Sequence, residues 1–252
     1  MYEVSLKRVP HIIFSYWIIK IASTTLGETG ADMFSMTFNL GYGNTIIIFL
    51  CLFLVLLGIK LSLRVYTPLS YWAVFTASAI LGTGVSDFID RTLQLGYEDG
   101  SLFLLATLLI ILLFWYLKEK SLSVEDITTS GAELFYWSAF LIANTLGTAA
   151  GDYLSDGLGI GFLESAVLIA GLLAVTAMAH FYTRISGIFL FWFAFVLTRP
   201  FGATFGDLLT KPINHGGLNL GTIGASLFFI MIMAIALVRE ARVEKVKNPV
   251  SD

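Results

Sequence analysis

The sequence predicts an all-α, polytopic membrane protein of about eight transmembrane helices. They form four parallel two-helix repeats, with polar motif helices inside and plainer helices outside. Three observations predict this: an apolar composition arranged in helix-length runs, a fourfold internal repeat, and basic residues gathered on one side.

Hydrophobic residues make up 57% of the 252 and charged residues only 13%. Runs such as "IIIFLCLFLVLLGI" (46–59) and "LFLLATLLIILLFWYL" (102–117) approach the ~20 residues that cross a ~30 Å hydrocarbon core as helix. Cys51 is the only cysteine. That excludes an intrachain disulfide and a thiolate metal cluster, and leaves Cys51 as a small lipid- or core-facing residue. Lys7 and Arg8 before an apolar run imitate a signal peptide. The run carries Lys20 and a carboxylate and is followed by equally apolar segments, so it reads as a retained span.

Sliding the chain against itself by 55, 120 and 175 residues aligns four segments without gaps. They are "YWIIKIASTTLGETGADMFSMTFNLGYGN" (16–44), "YWAVFTASAILGTGVSDFIDRTLQLGYED" (71–99), "YWSAFLIANTLGTAAGDYLSDGLGIGFLE" (136–164) and "FWFAFVLTRPFGATFGDLLTKPINHGGLN" (191–219). Four columns are identical throughout: Trp17/Trp72/Trp137/Trp192, Gly27/Gly82/Gly147/Gly202, Asp32/Asp87/Asp152/Asp207 and Gly41/Gly96/Gly161/Gly216. The spacings of 55, 65 and 55 put ten extra residues in the polar connector "KEKSLSVEDITTSGAE" (118–133), which divides the chain into two halves of two units.

Each unit holds a motif-bearing span and a plainer one. The expected helices are roughly 12–38, 45–64, 69–94, 101–118, 133–156, 162–182, 187–210 and 219–238. The units run over approximately 11–65, 66–120, 131–185 and 186–240, within a single membrane domain of 1–252 that ends in a cytoplasmic tail, 241–252. One two-helix unit is too small to bury its own polar face. Because each unit spans twice, all four enter from the same side and their aspartates lie at similar depth.

Lys7, Arg8, Lys60, Arg64, Lys118, Lys120, Arg184, Arg239, Arg242, Lys245 and Lys247 fall on one side, against only Arg91 and Lys211 on the other. The positive-inside rule then places both termini in the cytoplasm, and the expected location is the bacterial inner membrane. On this reading the Tyr/Phe–Trp pairs form an aromatic belt at the cytoplasmic interface, and Lys20 snorkels to it. Asp87 lies fifteen residues beyond Trp72, so the aspartates sit about 22 Å along the helix, past the midplane.

Helical spacing collects the polar residues into one stripe per unit. It reads Thr24, Glu28, Asp32, Ser35; Ala79, Thr83, Asp87, Asp90; Asn144, Thr148, Asp152, Ser155; and Arg199, Ala203, Asp207, Thr210. Six carboxylates (Glu28, Asp32, Asp87, Asp90, Asp152, Asp207) thus face Arg199. At ~2.5–3.5 kcal/mol for each charge at the bilayer centre, they need a vestibule, protonation, partners or a bound cation. Oxygen-only ligands suit hard cations such as Mg²⁺, Ca²⁺ or Mn²⁺, and the candidate metal ligands are Glu28, Asp32, Asp87, Asp90 and Asp152.

Structural readings stand beside these. The aspartates can bond neighbouring helices, Arg199 can be a counter-ion for Asp207 or another aspartate, and Lys211 can pair with Asp207 at i, i+4. Asn44, Asp99, Glu164 and Asn219 occupy a column suited to helix N-caps. Gly27, Gly82, Gly147 and Gly202 permit either close helix approach or local unwinding at a hinge, and Pro200 implies a kink. His11, His180 and His215 do not cluster.

The tandem Gly-x₄-Asp units, best seen in "TTLGETGADMFS" and "NTLGTAAGDYLS", resemble the bacterial four-repeat membrane proteins of unknown function over about residues 11–238. "TRPFGATFGDLLTKP" resembles a divergent last copy. The resemblance implies an integral membrane protein and brings no catalytic assignment. The expected function is a transporter of a hard divalent cation, exported or exchanged with protons through the carboxylate cluster. The alternatives are an intramembrane Mg-dependent transferase acting on a lipid-linked substrate, to which "DFID" and "DYLSD" point, or a non-transporting scaffold or sensor. Expected partners are the lipid bilayer, an inorganic cation or protons, and a second copy of the chain. Nucleic acid is not among them, and no cofactor is expected beyond the divalent cation itself.

Overall fold

The computed structural model describes residues 8–63, 65–124 and 127–247, with side chains as far as Arg242. Of the basic residues that set the expected orientation, Lys7 and Arg64 lie outside this set, as do the side chains of Lys245 and Lys247. The described chain is all-α. Its helices are α1 (Phe14–Asp32), α2 (Gly41–Leu63), α3 (Pro68–Asp87), α4 (Tyr97–Glu119), α5 (Ser130–Asp152), α6 (Phe162–Tyr182), α7 (Gly187–Thr210) and α8 (Thr222–Lys247). The last continues well past the end that hydropathy alone suggests.

Six of them (α2, α3, α4, α6, α7 and α8) are long and apolar enough to cross a membrane by length and composition. α1 and α5 match them in length but carry the most polar stripes. Their buried residues include Lys20, Ser23, Thr24, Thr25, Glu28, Thr29 and Asp32 on one, and Glu133, Asn144, Thr145, Thr148 and Asp152 on the other. A hydropathy average counts such residues against a span, although none of them faces outward.

Each motif helix packs against the next: α1 on α3, α3 on α5, α5 on α7, and α7 back on α1. The ring is closed. The plainer helices surround it with a one-unit offset, α2 on α3, α4 on α5, α6 on α7, and α8 returning to α1. A unit therefore covers its successor's motif helix rather than its own, and the fourth covers the first. Two local devices send the chain sideways between the helices of a unit. Directly after the aspartate, α1, α3 and α5 widen into a π-helical turn (Met33–Thr37, Phe88–Thr92, Tyr153–Gly157). The invariant glycine that follows has positive φ in all four units, 73°, 80°, 95° and 82° at Gly41, Gly96, Gly161 and Gly216. In the last unit Pro212 follows α7 at once and the π turn is replaced by a short 3₁₀ turn, Ile213–His215.

The other glycine column makes the ring possible. A methyl group on Gly27 would lie 2.6 Å from Ala79 Cβ, one on Gly82 2.9 Å from Asn144 Cβ, and one on Gly202 2.7 Å from Thr24 Oγ1. One on Gly147 would overlap the Arg199 side chain. Every motif glycine thus seats the residue of the next helix drawn from the single column Thr24/Ala79/Asn144/Arg199. The helices run through these glycines without a break, so the column serves close approach and not unwinding. α7 likewise continues through Pro200.

Of the tryptophans expected to form an interfacial belt, Trp17 is partly exposed and the other three are packed inside the protein. Trp72 and Trp137 are fully buried, and Trp192 nearly so. Their indole nitrogens find local acceptors where they can: Trp72 Nε1 donates to Glu240 Oε2 (3.1 Å) and Trp192 Nε1 to the Leu122 carbonyl (3.0 Å). Tyr16, Tyr71 and Tyr136 fill the end of the ring, with the Tyr71 and Tyr136 hydroxyls 2.5 Å apart. The outer helices expose large apolar side chains such as Ile47, Leu54, Phe103, Leu109, Val167, Val175, Leu227 and Phe228. Cys51 is exposed on that surface too. Inside-polar and outside-apolar packing is the arrangement a bilayer favours. Asn44, Asp99 and Glu164 do not cap their helices: they lie inside the first turn, where Gly96 and Gly161 hold the N-cap positions of α4 and α6. Asn44 bonds the Leu40 carbonyl instead (3.0 Å).

The seating of Gly82 and Gly202 against the next backbone makes them sensitive to one added carbon. Gly82→Ala and Gly202→Ala should each cost about 1–3 kcal/mol by overpacking. Gly58→Ala, which meets nothing within 4 Å, should cost nothing. Thermal unfolding of the three variants in detergent checks the contrast.

Candidate functional site

Successive turns of the four inner helices bring like columns to the interior of the ring. Beyond the tyrosines comes Lys20 with Phe75, Phe140 and Phe195, then Thr24, Ala79, Asn144 and Arg199. Glu28, Thr83, Thr148 and Ala203 follow, and then the four aspartates. Nearly all of these side chains are buried. Helix periodicity alone sets this order, since each tier is one turn from the last.

The aspartate tier is neutralised in pairs. Lys211 Nζ lies 2.7 Å from Asp32 Oδ2 and 3.2 Å from Asp207 Oδ1. Arg91 Nε lies 3.2 Å from Asp87 Oδ1, and its Nη2 4.0 Å from Asp152 Oδ2. Each cation sits four residues after its own aspartate and reaches the aspartate of the following helix. Units two and four supply the cations, and units one and three have Met36 and Asp156 in the same column. The fourfold ring is therefore twofold in charge. Burial works against the Lys211 ammonium, but Asp207 and Asp32 outweigh it and raise its pKa above the usual lysine range.

One turn inward, Arg199 Nη2 lies 3.1 Å from Glu28 Oε2, also bonds Thr83 Oγ1, and its Nη1 approaches the Thr24 carbonyl (3.4 Å). Arg199 is thus the counter-ion of Glu28, not of Asp207, whose partner is Lys211. Glu28, Asp32 and Asp207 offer carboxylate oxygens that all lie within 4.8 Å of one another, and all three residues are buried. This is the metal-compatible group that the structure assembles, and it includes Asp207, which the sequence-based ligand set omits. Asp87 and Asp152 fall outside it because Arg91 stands between them. Asp90 is half-buried and turned aside: it bonds Ser86 (3.4 Å), and a methyl on Gly100 of α4 would meet its Oδ1 at 3.5 Å. Ser35, Ser155 and Thr210 donate to carbonyls of their own helices (2.7, 3.0 and 2.9 Å), and Thr148 to Asn144 (3.4 Å). Their hydroxyl protons are spent within the helix. Asp87 Oδ2 and Arg199 Nε are buried without a hydrogen-bond partner among the described residues.

Two residues of the interior escape a stripe argument. Lys20 is fully buried and does not snorkel. Arg91 reads in sequence as a charge near the motif; its equivalence to Lys211 at the 120-residue offset is the feature that reveals it. His11, His180 and His215 are exposed and take no part.

Fold and site define a closed helical ring built from four repeats, with an apolar exterior and a charged interior, the build of a membrane protein. The chain belongs to the family described as Repeat of Unknown Function (DUF347), whose model matches residues 15–66, 70–121, 135–186 and 190–245. No curated protein and no solved structure matches it.

Because one ammonium holds two carboxylates, its loss should be costly. Lys211→Met leaves Asp32 and Asp207 facing each other, at about 3 kcal/mol, the lower end of the range for a broken buried pair because Lys211 keeps 20% exposure. Adding Asp32→Asn should restore a large part of that loss. A double-mutant cycle in thermal stability measures it.

Proposed function

We propose that the protein is a transporter that carries a hard divalent cation along the interior of the ring in exchange for protons. One observation carries the proposal: the buried oxygens of Glu28, Asp32 and Asp207 converge within 4.8 Å. Charge supports the valence. In these outer tiers Glu28, Asp32, Asp87, Asp152 and Asp207 face the tethered cations Arg91, Arg199 and Lys211. With every group ionised, two negative charges remain, the deficit that one divalent cation fills. An all-oxygen donor set matches Mg²⁺, Mn²⁺ or Ca²⁺.

Lys211 then acts as a resident surrogate. Its side chain is 20% exposed and that of Arg91 34%, so both reach the aspartates from the accessible end of the ring and can swing out as cargo arrives. The proposed orientation puts both termini in the cytoplasm of a bacterial inner membrane, with the aspartate end outward. The transferase reading draws less support from "DFID", whose Asp87 meets Arg91 and whose Asp90 turns toward α4.

Mn²⁺ uptake into proteoliposomes, followed by quenching of a trapped dye, tests the proposal. Asp32→Asn and Asp207→Asn should each lower the flux by at least about tenfold, the equivalent of ~1.4 kcal/mol, while Gly58→Ala transports as the parent does. Wild-type protein that carries neither Mn²⁺, Mg²⁺ nor Ca²⁺ above the empty-liposome rate removes the transport reading in favour of a charge-locked scaffold.

A further inference from the structure

Lys20 stands apart from every other charge in the ring. It is fully buried, inward of the Arg199 tier, and takes the place of a fourth phenylalanine in the column Lys20/Phe75/Phe140/Phe195. Its Nζ lies 3.8, 5.2 and 5.7 Å from the ring centres of Phe195, Phe75 and Phe140. It donates to Thr198 Oγ1 at 2.7 Å and to the Phe195 carbonyl at 3.1 Å. No carboxylate lies within ion-pair distance among the described residues. Lys60, the other fully buried lysine of the described set, faces Glu133 at 2.9 Å.

A carboxylate partner locks a lysine in its charged form. Neutral partners do not. A carbonyl and a hydroxyl oxygen accept from an ammonium and equally accept from an amine, and the Thr198 hydroxyl, whose own proton goes to the Phe195 carbonyl (2.8 Å), stays an acceptor toward Nζ in both forms. The phenyl faces stabilise the cation without fixing it. Arg199 on α7 is the charged group that acts on Lys20. By helical register the titratable groups one tier away are Tyr71 on α3 and Tyr136 on α5, with Tyr16 and Glu28 one and two turns away on its own helix. A second cation entering past Arg199 meets the ammonium with no carboxylate at ion-pair distance from it among the described residues, where like charges repel strongly.

Resting on the transport reading above, we propose that Lys20 is the residue that couples proton movement to cation movement. With the proton on Nζ, the inner half of the ring is closed to cargo by charge. Cargo entry drives that proton from Nζ to water at one end, leaving the neutral amine held by Thr198 and the Phe195 carbonyl. Once the cargo has left, a proton taken up from the other end restores the ammonium. One proton thus crosses against each cargo ion through this group.

Three lysine variants and one titration test it. Lys20→Met fits among phenyl rings and removes an unpaired buried charge, so it should unfold at or above the wild-type temperature. In proteoliposomes it should still pass Mn²⁺ downhill but lose about tenfold of the acceleration that an imposed pH gradient gives the wild type, with Lys20→Leu behaving alike. Lys20→Arg, always charged, should block Mn²⁺ flux at every pH. A Lys20→Met protein with full gradient response overturns the inference. If the wild type moves no Mn²⁺ at all, the transport reading falls and the coupling role falls with it, whereas a wild type that transports while Lys20→Met keeps its gradient response overturns the coupling role alone. With ¹³C-lysine protein in nanodiscs, the resonance lost in Lys20→Met should gain and lose its proton across the physiological pH range. A resonance that stays in its charged form throughout overturns the coupling role whatever the cargo.

Discussion

The close approach of the four motif helices at Gly27, Gly82, Gly147 and Gly202 is the constraint on which the rest of the structure depends. In hydrocarbon, apolar side chains gain nothing by leaving lipid for another apolar surface, so helix contact must come from fit. Removing the β-carbon lets each helix seat on the backbone of the next, and the fourth seats on the first. Once that contact is set, the neighbouring turns have no freedom. The Phe tier, the Arg199 tier and the aspartates must stack inside the ring at the helical repeat. The plain helices are displaced outward, to cover the next unit's motif helix.

Closure by a common rule makes the exceptions meaningful. If all four units were alike, the ring would hold four unpaired aspartates at one depth, a state too costly to persist in a membrane. Lys211 and Arg91 solve this with two cations for four carboxylates, each bridging its own helix to the next. The same bridges tie α7 to α1 and α3 to α5, so charge pairing reinforces the contacts that the glycines begin. Arg199 adds a third tether between α7 and α1 at Glu28. Replacing such pairs by apolar residues is often neutral or stabilising in other proteins. Here the charges lie inside the ring, each paired across two neighbouring helices.

Three departures from fourfold symmetry place a charge where the sister units have none. The column that offers Thr148 and Thr83 offers Glu28 in the first unit; the column of three phenylalanines offers Lys20; the column of small residues offers Arg199. α1 and α7, the pair where the chain closes on itself, thereby carry Glu28, Asp32, Asp207, Lys211, Arg199 and Lys20. In the matching tiers, among the described residues, the α3–α5 side holds Asp87, Asp152 and Arg91. The ring is even in shape and uneven in charge, with its acidic convergence on the seam between first and last repeats.

The sequence by itself determined the all-α class, the eight helices, the four units and the shared tier of the aspartates. Those follow from composition and from ungapped self-similarity, and both survive translation into coordinates because helical rise is fixed. It marked Glu28, Asp32, Asp207, Arg199 and the glycine column as special, since a charge or a β-carbon-free position in an apolar helix is visible without a partner. Only the tertiary structure decided who faces whom. Lys211 reads as an i, i+4 partner of Asp207, and its shorter bond to Asp32 on α1 lies 179 residues away. Asp90 shares a stripe with Asp87 on an ideal helix, yet the π turn from Phe88 to Thr92 sends it toward α4. Trp72, Trp137 and Lys20 read as outward-facing because hydropathy gives no azimuth. Rotation about the helix axis, set by how each glycine seats its neighbour, turned them inward.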